Sequence, residues 1–381
     1  MYFENNPKRI LHVVSSMNRG GAETMIMNLY RQIDRTKIQF DFVSHVTDKS
    51  AYDDEILSLG GRIYKIPSLG HSGPVSYTKN LCNILKKNGP FTAVHAHTDF
   101  QTGFAALAAR LSGVKVRICH SHNTAWKPNL RMRDNVLFWF CKQLISSNAT
   151  SYCACGDEAA RFLFSDYVYN SGQVRYLQNG IDLELFKQYY DADRQHIRAQ
   201  FGISDDTILI GHVGRFYEQK NHVFIVNLAE KMKKRGLNFK IFLVGDGPLR
   251  SDIEKRVVNK GLDNHFKFLG VRDDVPMLMR IFDVFILPSL FEGLPVVLVE
   301  SQAIGTPCLV SDVVTDEADL GLGLIVKRKL NEPLEKWITE ILNINKLKRP
   351  IWEKIHMNLS KRGYNVQDNI VILDDLYHIN K

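Results

Sequence analysis

The sequence lacks several features that would assign it to a secreted or membrane-spanning class. Its six cysteines are scattered through apolar segments, and the spacing of Cys153 and Cys155 suits neither a zinc knuckle nor a redox pair. We therefore expect all six thiols to stay reduced. Met1–Pro7 has no basic region followed by an apolar core, and no apolar run approaches the length that spans a bilayer. These absences predict a cytoplasmic protein.

The charge is unbalanced towards the basic side, with 49 Lys and Arg against 41 Asp and Glu and a net charge of +8. No nucleic-acid motif with interleaved basic and aromatic residues is present, so we expect no nucleic-acid partner. Basic residues flank apolar faces in Tyr77–Asn88 and in Arg131–Lys142, which favours peripheral attachment to an anionic membrane, at the inner face of the cytoplasmic membrane. The alternative is that Phe138, Trp139 and Phe140 pack into the core.

Strands and helices alternate along the chain, which predicts the α/β class with parallel βαβ units. The polar stretch Lys187–Asp206 is predicted to connect two such sheets, and Val366–Ile379 to form a last amphipathic helix. The strands predicted for the first sheet are Arg9–Ser15, Ile38–Ser44, Arg62–Ile66, Ala93–Ala96, Lys115–His120, Thr150–Ala154 and Gln173–Leu177. Those predicted for the second are Ile208–Val213, Lys240–Val244, Lys267–Leu269, Val284–Leu287 and Pro307–Val310.

The segment Phe291–Glu300 carries most of the chemical information. Gly293 allows close backbone approach to a ligand, and Pro295 suits the first position of a helix. Glu292 then precedes the helix and Glu300 lies about a turn and a half inside it. A helix start with free N–H groups, flanked by two carboxylates, suits a sugar nucleotide. The alternative is an ordinary helix between two buried strands.

Two basic residues follow the end of an upstream strand closely in the sequence. Arg215 follows Ile210–Gly214, and Lys220 comes five residues later, just before a predicted helix. Ligands of α/β sheets bind at the carboxyl ends of strands. Arg215 as a flat multi-donor fork and Lys220 as a point charge can neutralise a diphosphate there. The nearby Gly245–Gly247 turn is by itself more often structural than functional.

These motifs resemble those of the retaining glycosyltransferases of family 4, and most closely the branch that builds capsular polysaccharides and exopolysaccharides. The likeness covers about residues 8 to 319 and fades after Asp319. The residues that carry it are Val213-Gly214-Arg215 with Lys220-Asn221, Val244–Gly247, Pro288-Ser289 with Glu292–Pro295 and Glu300, Ser16–Thr24, His120–Thr124 and Asn179–Asp182.

The resemblance implies a GT-B architecture of two Rossmann-like domains with parallel sheets that face a central cleft. We expect an acceptor-binding domain over residues 1–187, a nucleotide-sugar-binding domain over 188–365, and a helix over 366–381 that crosses back to the first domain. The implied reaction is retaining transfer of a sugar, from a UDP-sugar as the expected donor, to a lipid-linked glycan in capsule or exopolysaccharide synthesis.

The same resemblance, with the chemistry above, assigns the site. We predict catalytic roles for His122, Arg215, Lys220 and Glu292, with His120 as the competitor of His122 for the contact with the donor sugar. Glu292 would bind sugar hydroxyls, and Glu300 the ribose. The predicted donor-binding residues are Gly20, Gly21, Gly214, Asn221, Leu269, Val271, Gly293, Leu294, Pro295 and Glu300, with Arg19 beside the glycine loop as an added charge.

No cofactor is expected apart from the nucleotide-sugar substrate. His95 and His97, like His120 and His122, share a strand face and could in principle bind a metal, but no acidic or third His ligand is evident nearby. No Asp-x-Asp motif stands in a suitable loop, and the two cations are expected to take the place of a metal. The alternative functions are a UDP-sugar 2-epimerase of the same architecture and a non-catalytic sugar-nucleotide-binding partner.

Overall fold

The computed structural model describes residues 6–123 and 132–379, with side chains from 136 onward in the second range. The described residues divide into two compact units. Residues up to Ile181 together with those from Gly363 form the first unit, and Asp182–Arg362 form the second. The sequence-based boundaries after residues 187 and 365, and the ligand assigned to each domain, remain predictions. Most of Met1–Pro7, together with Thr124 and Arg131, lies outside the described residues.

The first unit contains a seven-stranded parallel sheet with the order β3-β2-β1-β4-β5-β6-β7. Its strands are β1 Lys8–Val14, β2 Ile38–Ser44, β3 Ile63–Lys65, β4 Ala93–Ala96, β5 Val116–Ser121, β6 Ser151–Ala154 and β7 Val174–Tyr176. Its helices are α1 Gly21–Gln32, α2 Asp53–Ser58, α3 Leu69–Asn88, α4 Thr102–Leu111, α5 Met132–Asn148, α6 Asp157–Leu163 and α7 Asp166–Asn170, and later α16 Val366–Leu376.

The second unit contains a six-stranded parallel sheet with the order β10-β9-β8-β11-β12-β13. Its strands are β8 Ile208–Val213, β9 Phe239–Val244, β10 Phe266–Gly270, β11 Val284–Leu287, β12 Cys308–Ser311 and β13 Ile325–Arg328. Its helices are α8 Leu183–Asp191, α9 Arg194–Gln200, α10 His222–Lys234, α11 Arg250–Asn259, α12 Val275–Ile281, α13 Val296–Ala303, α14 Leu334–Ile344 and α15 Trp352–Lys361.

The predicted α/β class with two parallel sheets is confirmed. Side chains alternate along the buried strands, so that each sheet face has its own core. On β1, Leu11 and Val13 join one apolar cluster, while Ile10 and Val14 join the other. Tyr377, which follows α16, is fully buried in that second cluster. The C-terminal segment is therefore part of the first unit's core.

The stretch Lys187–Asp206, which was predicted to connect the two sheets, is largely helical. This stretch includes the end of α8 and all of α9, and each helix begins after an aspartate cap. Asp182 accepts hydrogen bonds from the backbone N–H groups of Glu184 and Leu185, and Asp193 caps α9 in the same way. The edge strand β13 was not predicted, because basic residues follow Val326 directly. The side chains of this strand are only half-buried.

Candidate functional site

Two predicted site residues meet where the strand order of the second sheet reverses. The chain runs outward from β8 in one direction through β9 and β10, and in the other through β11, so the carboxyl ends of β8 and β11 flank the switch point. Lys220 follows β8, and Glu292 follows β11. Lys220 Nζ lies 2.5 Å from Glu292 Oε1, and the two side chains are only 15% and 6% exposed.

Other donors hold the Glu292 carboxylate in place. Ser289 Oγ donates to Oε1 at 2.6 Å, and Gln219 Nε2 donates to Oε2 at 3.2 Å. Asn221 adopts a left-handed conformation with φ of +52°, and its side-chain amide donates to the Pro288 carbonyl at 3.1 Å. Side-chain hydrogen bonds therefore join the loops after β8 and β11. They hold the Lys220–Glu292 ion pair in a fixed position.

The segment after Glu292 forms the predicted helix α13 with a shift of one position. Pro295 is the residue that precedes the helix, not its first residue as predicted, because its ψ of +100° is extended. No side chain caps this end, and Gly293 and Leu294 lie half-buried before it. Glu300 lies one and a half turns inside α13, and loss of hydration raises the pKa of its carboxyl to about 7.

The loop that carries Arg215 rests on the Gly-Asp-Gly turn. Gly245 has φ of +129°, and a Cβ atom there would lie 2.1 Å from the carbonyl oxygen of Gly214. The Phe216 N–H donates to the Asp246 carbonyl at 3.0 Å. The turn is thus a support for the loop, and Arg215 itself is exposed at its surface.

The predicted donor-binding residues Leu269 and Val271 lie further along the same sheet. Leu269 belongs to β10, and Val271 follows it with an exposed side chain. Since β9 separates β10 from β8, these residues lie two strands away from Lys220. The predicted donor-binding residues thus follow a row of strand ends from β10 to β11. Gly214, which follows β8, lies between the two ends of this row.

The first sheet reverses its strand order between β1 and β4. The glycine loop follows β1 at this point: Gly20 is the residue before α1, in extended conformation, and Gly21 is its first residue. No side chain caps this end of α1. The Arg19 guanidinium lies over the Tyr52 ring, 5.8 Å from the ring centre. The predicted glycine loop is therefore at the edge where α/β sheets bind ligands.

Five histidines cluster at the same edge, which corrects the expectation that no third histidine lies near the two pairs. His12 Nδ1 lies 3.0 Å from His97 Nε2, and His97 Nδ1 lies 2.9 Å from His122 Nε2. His95 Nε2 lies 3.1 Å from His120 Nδ1. The missed member is His12 on β1, which pairs in register with His95 on β4. The adjacency of these strands was the signal that could have found it.

Burial keeps these rings neutral at neutral pH. It lowers the pKa of His12 and His122 to about 3, and it lowers the pKa of His95, His97 and His120 well below the ordinary value. Neutral imidazole is the form that binds metals. His120 is fully buried, whereas His122 is partly exposed, so His122 is the member of the predicted pair that a ligand can reach.

Asp99, after β4, is a further candidate that the sequence did not single out. It has φ of +49°, which is uncommon for a residue other than glycine. Its carboxylate accepts hydrogen bonds from Asn123 Nδ2 at 2.6 Å and from the backbone N–H of His122. Desolvation is the main reason why the pKa of Asp99 rises to about 6. The half-buried carboxylate of Asp99 beside His122 makes this strand end a candidate part of the site.

Comparisons with known proteins agree with this architecture. Residues 193–357 match the family model described as glycosyl transferases group 1, and residues 19–185 match that of glycosyltransferase family 4. EpsF of Bacillus subtilis (strain 168), which is named as a glycosyltransferase, is 50% identical over 98% of this chain and 97% of its own. An Escherichia coli UDP-Gal:alpha-D-GlcNAc-diphosphoundecaprenol alpha-1,3-galactosyltransferase is 24% identical over 93% of this chain and 96% of its own.

Among solved structures, Anabaena HepE in complex with UDP superposes with a TM-score of 0.74 over 97% of this chain and 98% of its own, at 17% identity. That likeness supports the fold, a GT-B arrangement of two α/β units. With EpsF matched along almost the whole chain, the protein belongs to the glycosyltransferases of family 4.

Proposed function

We propose that this glycosyltransferase moves a sugar from a UDP-sugar, with retention of anomeric configuration, to a lipid-linked glycan in capsule or exopolysaccharide synthesis. The observation that carries the proposal is the fixed Lys220–Glu292 pair at the switch point of the second sheet. A galactosyltransferase among the relatives is named for a UDP-sugar donor and a diphosphoundecaprenol acceptor. HepE was solved with UDP.

In this proposal the second unit binds the donor. Arg215 and Lys220 stabilise the negative charge that develops on the diphosphate as the sugar–phosphate bond breaks. Fixed donors in such sites are each worth about 3 kcal/mol of transition-state stabilisation. Glu292 accepts hydrogen bonds from the sugar hydroxyls and faces the positive charge of the oxocarbenium-like centre, while Glu300 holds the ribose. The two cations take the role that a metal ion has in other transferases, so the transfer needs no metal.

The first unit supplies the other predicted contacts. His122 contacts the donor sugar, Gly20 and Gly21 let it approach the backbone, and the remaining loops select the lipid-linked acceptor. The protein works in the cytoplasm at the inner face of the cytoplasmic membrane, where such an acceptor is available. Exposed Trp139 and Phe140 on α5 support a peripheral attachment.

The experiment that tests this proposal is a thermal-shift and turnover screen with UDP-, GDP-, ADP- and CMP-sugars in the presence of EDTA. A stabilising donor with slow sugar release, and transfer to membrane extract, is the expected result. Binding without turnover would instead indicate a non-catalytic partner. Conversion of one free UDP-sugar into another would indicate an epimerase.

Variants connect the activity to the proposed site. We expect Lys220→Ala and Glu292→Gln each to lower turnover by about 100-fold or more while the protein stays folded. Lys231 and Glu335 form a matched control, since they are an ion pair of the same types in the same unit at 2.9 Å, with both side chains about half exposed. Lys231→Ala and Glu335→Gln should leave turnover unchanged. Full activity in both site variants would contradict the assignment.

A further inference from the structure

The histidine cluster of the first unit contains four histidines besides His122, and the proposed sugar transfer uses only His122. One ring nitrogen from each of His97, His120 and His122 lies within 4.8 Å of those of the other two. We propose that these three residues bind one divalent transition-metal ion, with Zn²⁺ as the best match. The ion belongs to the first unit, whereas the cations assigned to the diphosphate, Arg215 and Lys220, belong to the second.

The type of donor atom decides the class of ion. The group offers only imidazole nitrogens, which suit Zn²⁺, Co²⁺, Ni²⁺ and Cu²⁺, whereas Mg²⁺ and Ca²⁺ require oxygen ligands. Three protein ligands leave a fourth position for water, as in open zinc sites.

The distance between two of the assigned ligand atoms suits an ion after a small adjustment. In a tetrahedral site, two nitrogens that are each about 2.0–2.1 Å from zinc are roughly 3.3 Å apart. His97 Nδ1 and His122 Nε2 are 2.9 Å apart, so the rings have to separate by only a few tenths of an ångström. His122 is partly exposed, and this gives the ion a route into the cluster.

A second layer of partners is already present. Metal-binding histidines usually donate their other ring N–H to a partner that fixes the tautomer. His97 Nε2 faces His12 Nδ1 at 3.0 Å, which leaves His97 Nδ1 as the ligand atom. His120 Nδ1 faces His95 Nε2 at 3.1 Å, and the other nitrogen of His95 meets Tyr377 Oη at 2.8 Å. This leaves His120 Nε2 as the second ligand atom.

An independent observation supports the same assignment. Within the described part of the chain, His120 Nε2 is buried and has no hydrogen-bond partner. A buried polar atom without a partner destabilises the folded state. An ion at the proposed place gives His120 Nε2 its missing partner, and it joins the ends of β4 and β5.

The test uses the full-length protein without a polyhistidine tag, stripped of metal with a chelator that is then removed. Co²⁺ is titrated first, because its visible absorption distinguishes a tetrahedral nitrogen site from the aqua ion, and Zn²⁺ then displaces it. We expect one Co²⁺ per chain and a higher melting temperature with Zn²⁺. His97→Asn and His122→Asn should each weaken Co²⁺ binding by at least about 100-fold, since changes in the second layer alone cost 10- to 100-fold.

The controls separate the cluster from other histidines and from misfolding. His71→Asn changes an exposed histidine on α3 of the same unit and should bind Co²⁺ like the wild type. Thermal unfolding without metal checks each fold, and the partly exposed His122 provides a readout if the variant at buried His97 does not fold. The absence of 1:1 binding, or undiminished binding by His122→Asn, would overturn the proposal. Equal loss in His71→Asn would also overturn it.

Discussion

At the scale of single residues, the most informative contact is the one between Lys220 and Glu292. The two positions are 72 residues apart in the sequence, yet Lys220, Ser289 and Gln219 all donate to the same carboxylate. Three donors fix the orientation of Glu292 before any substrate binds. In the proposed transfer, such preorganisation lowers the reorganisation required in the transition state, which is how fixed charges accelerate reactions.

Glu300 leads to a pH-dependent prediction. Loss of hydration raises the pKa of its carboxyl from 4.5 to about 7, so the group loses its proton between pH 6 and pH 8. In the role proposed for Glu300, only the carboxylate accepts hydrogen bonds from both ribose hydroxyls. We therefore expect a UDP-sugar to bind about tenfold more tightly at pH 8 than at pH 6, the ratio of ionised carboxyl at the two pH values for a pKa near 7.

Isothermal titration calorimetry with an intact UDP-sugar is the suitable measurement, because its diphosphate does not titrate in this range. Glu300→Gln should bind more weakly at pH 8 and show no change between pH 6 and pH 8. The raised pKa also means that the folded state holds the proton more tightly than the unfolded state, so this carboxyl favours the folded state less as pH rises through 7. An identical pH profile in wild type and variant would refute the role of Glu300.

At the scale of elements, the turn after β9 supports the loop after β8. Gly245→Ala places a methyl group 2.1 Å from the Gly214 carbonyl oxygen, and it also places alanine at a φ of +129°. We expect the free energy of unfolding to fall by about 3 kcal/mol and turnover to fall with it, because the loop that carries Arg215 has to shift. Urea unfolding measures the first effect.

The matched control for this variant is Gly236→Ala in the same unit. Gly236 also has positive φ, at +67°, but a Cβ atom there has no neighbour within 4 Å. Gly236→Ala therefore has the backbone strain without the collision, and we expect this strain alone to cost about 1 kcal/mol. If both variants lost the same stability and Gly245→Ala kept full turnover, the support role of the turn would be refuted.

The elements also show what the sequence could predict. The buried strands were predictable because runs such as Ile208–Val213 are apolar and end at glycine turns. The strand β13 and the helices α8 and α9 were missed, since polar residues interrupt their apolar patterns and their places depend on caps and on edge pairing. For α9 the cap was visible as Asp193, and a cap search would have found the helix.

Single residues of the candidate site were predictable from the sequence, but the contacts between them were not. Lys220 and Glu292 were found separately, because each follows an apolar strand, but their contact depends on β8 and β11 being neighbours in the sheet. His12 was overlooked for the same reason: nothing local distinguishes it from other strand residues until β1 and β4 are placed side by side. Strand order is a property of the whole sheet, and local pattern does not specify it.

At the scale of the whole molecule, the charge and one exposed apolar surface bear on location. The chain carries a net charge of +8, and in the described residues no helix is both long and apolar enough to cross a membrane. On α5, Phe138 packs against the core as the alternative interpretation required, but Trp139 and Phe140 are 63% and 49% exposed. The side chains of Arg131 and Arg133, which entered the sequence-based prediction, lie outside the described residues.

This surface predicts salt-sensitive binding to anionic membranes. Aromatic side chains enter the interface while basic residues attract the anionic lipid head groups. The full-length protein should therefore sediment with vesicles that contain phosphatidylglycerol, and raising the salt concentration should reduce the bound fraction, because salt screens exposed charges.

Trp139→Ser together with Phe140→Ser should lower binding by at least about tenfold, since each buried aromatic ring contributes roughly 1.5 kcal/mol or more. Tyr167→Ser is the control, because the side chain of Tyr167 is even more exposed, at 78%, but lies on α7. Equal binding to neutral and anionic vesicles, or no effect of the double variant, would exclude α5 as the attachment surface.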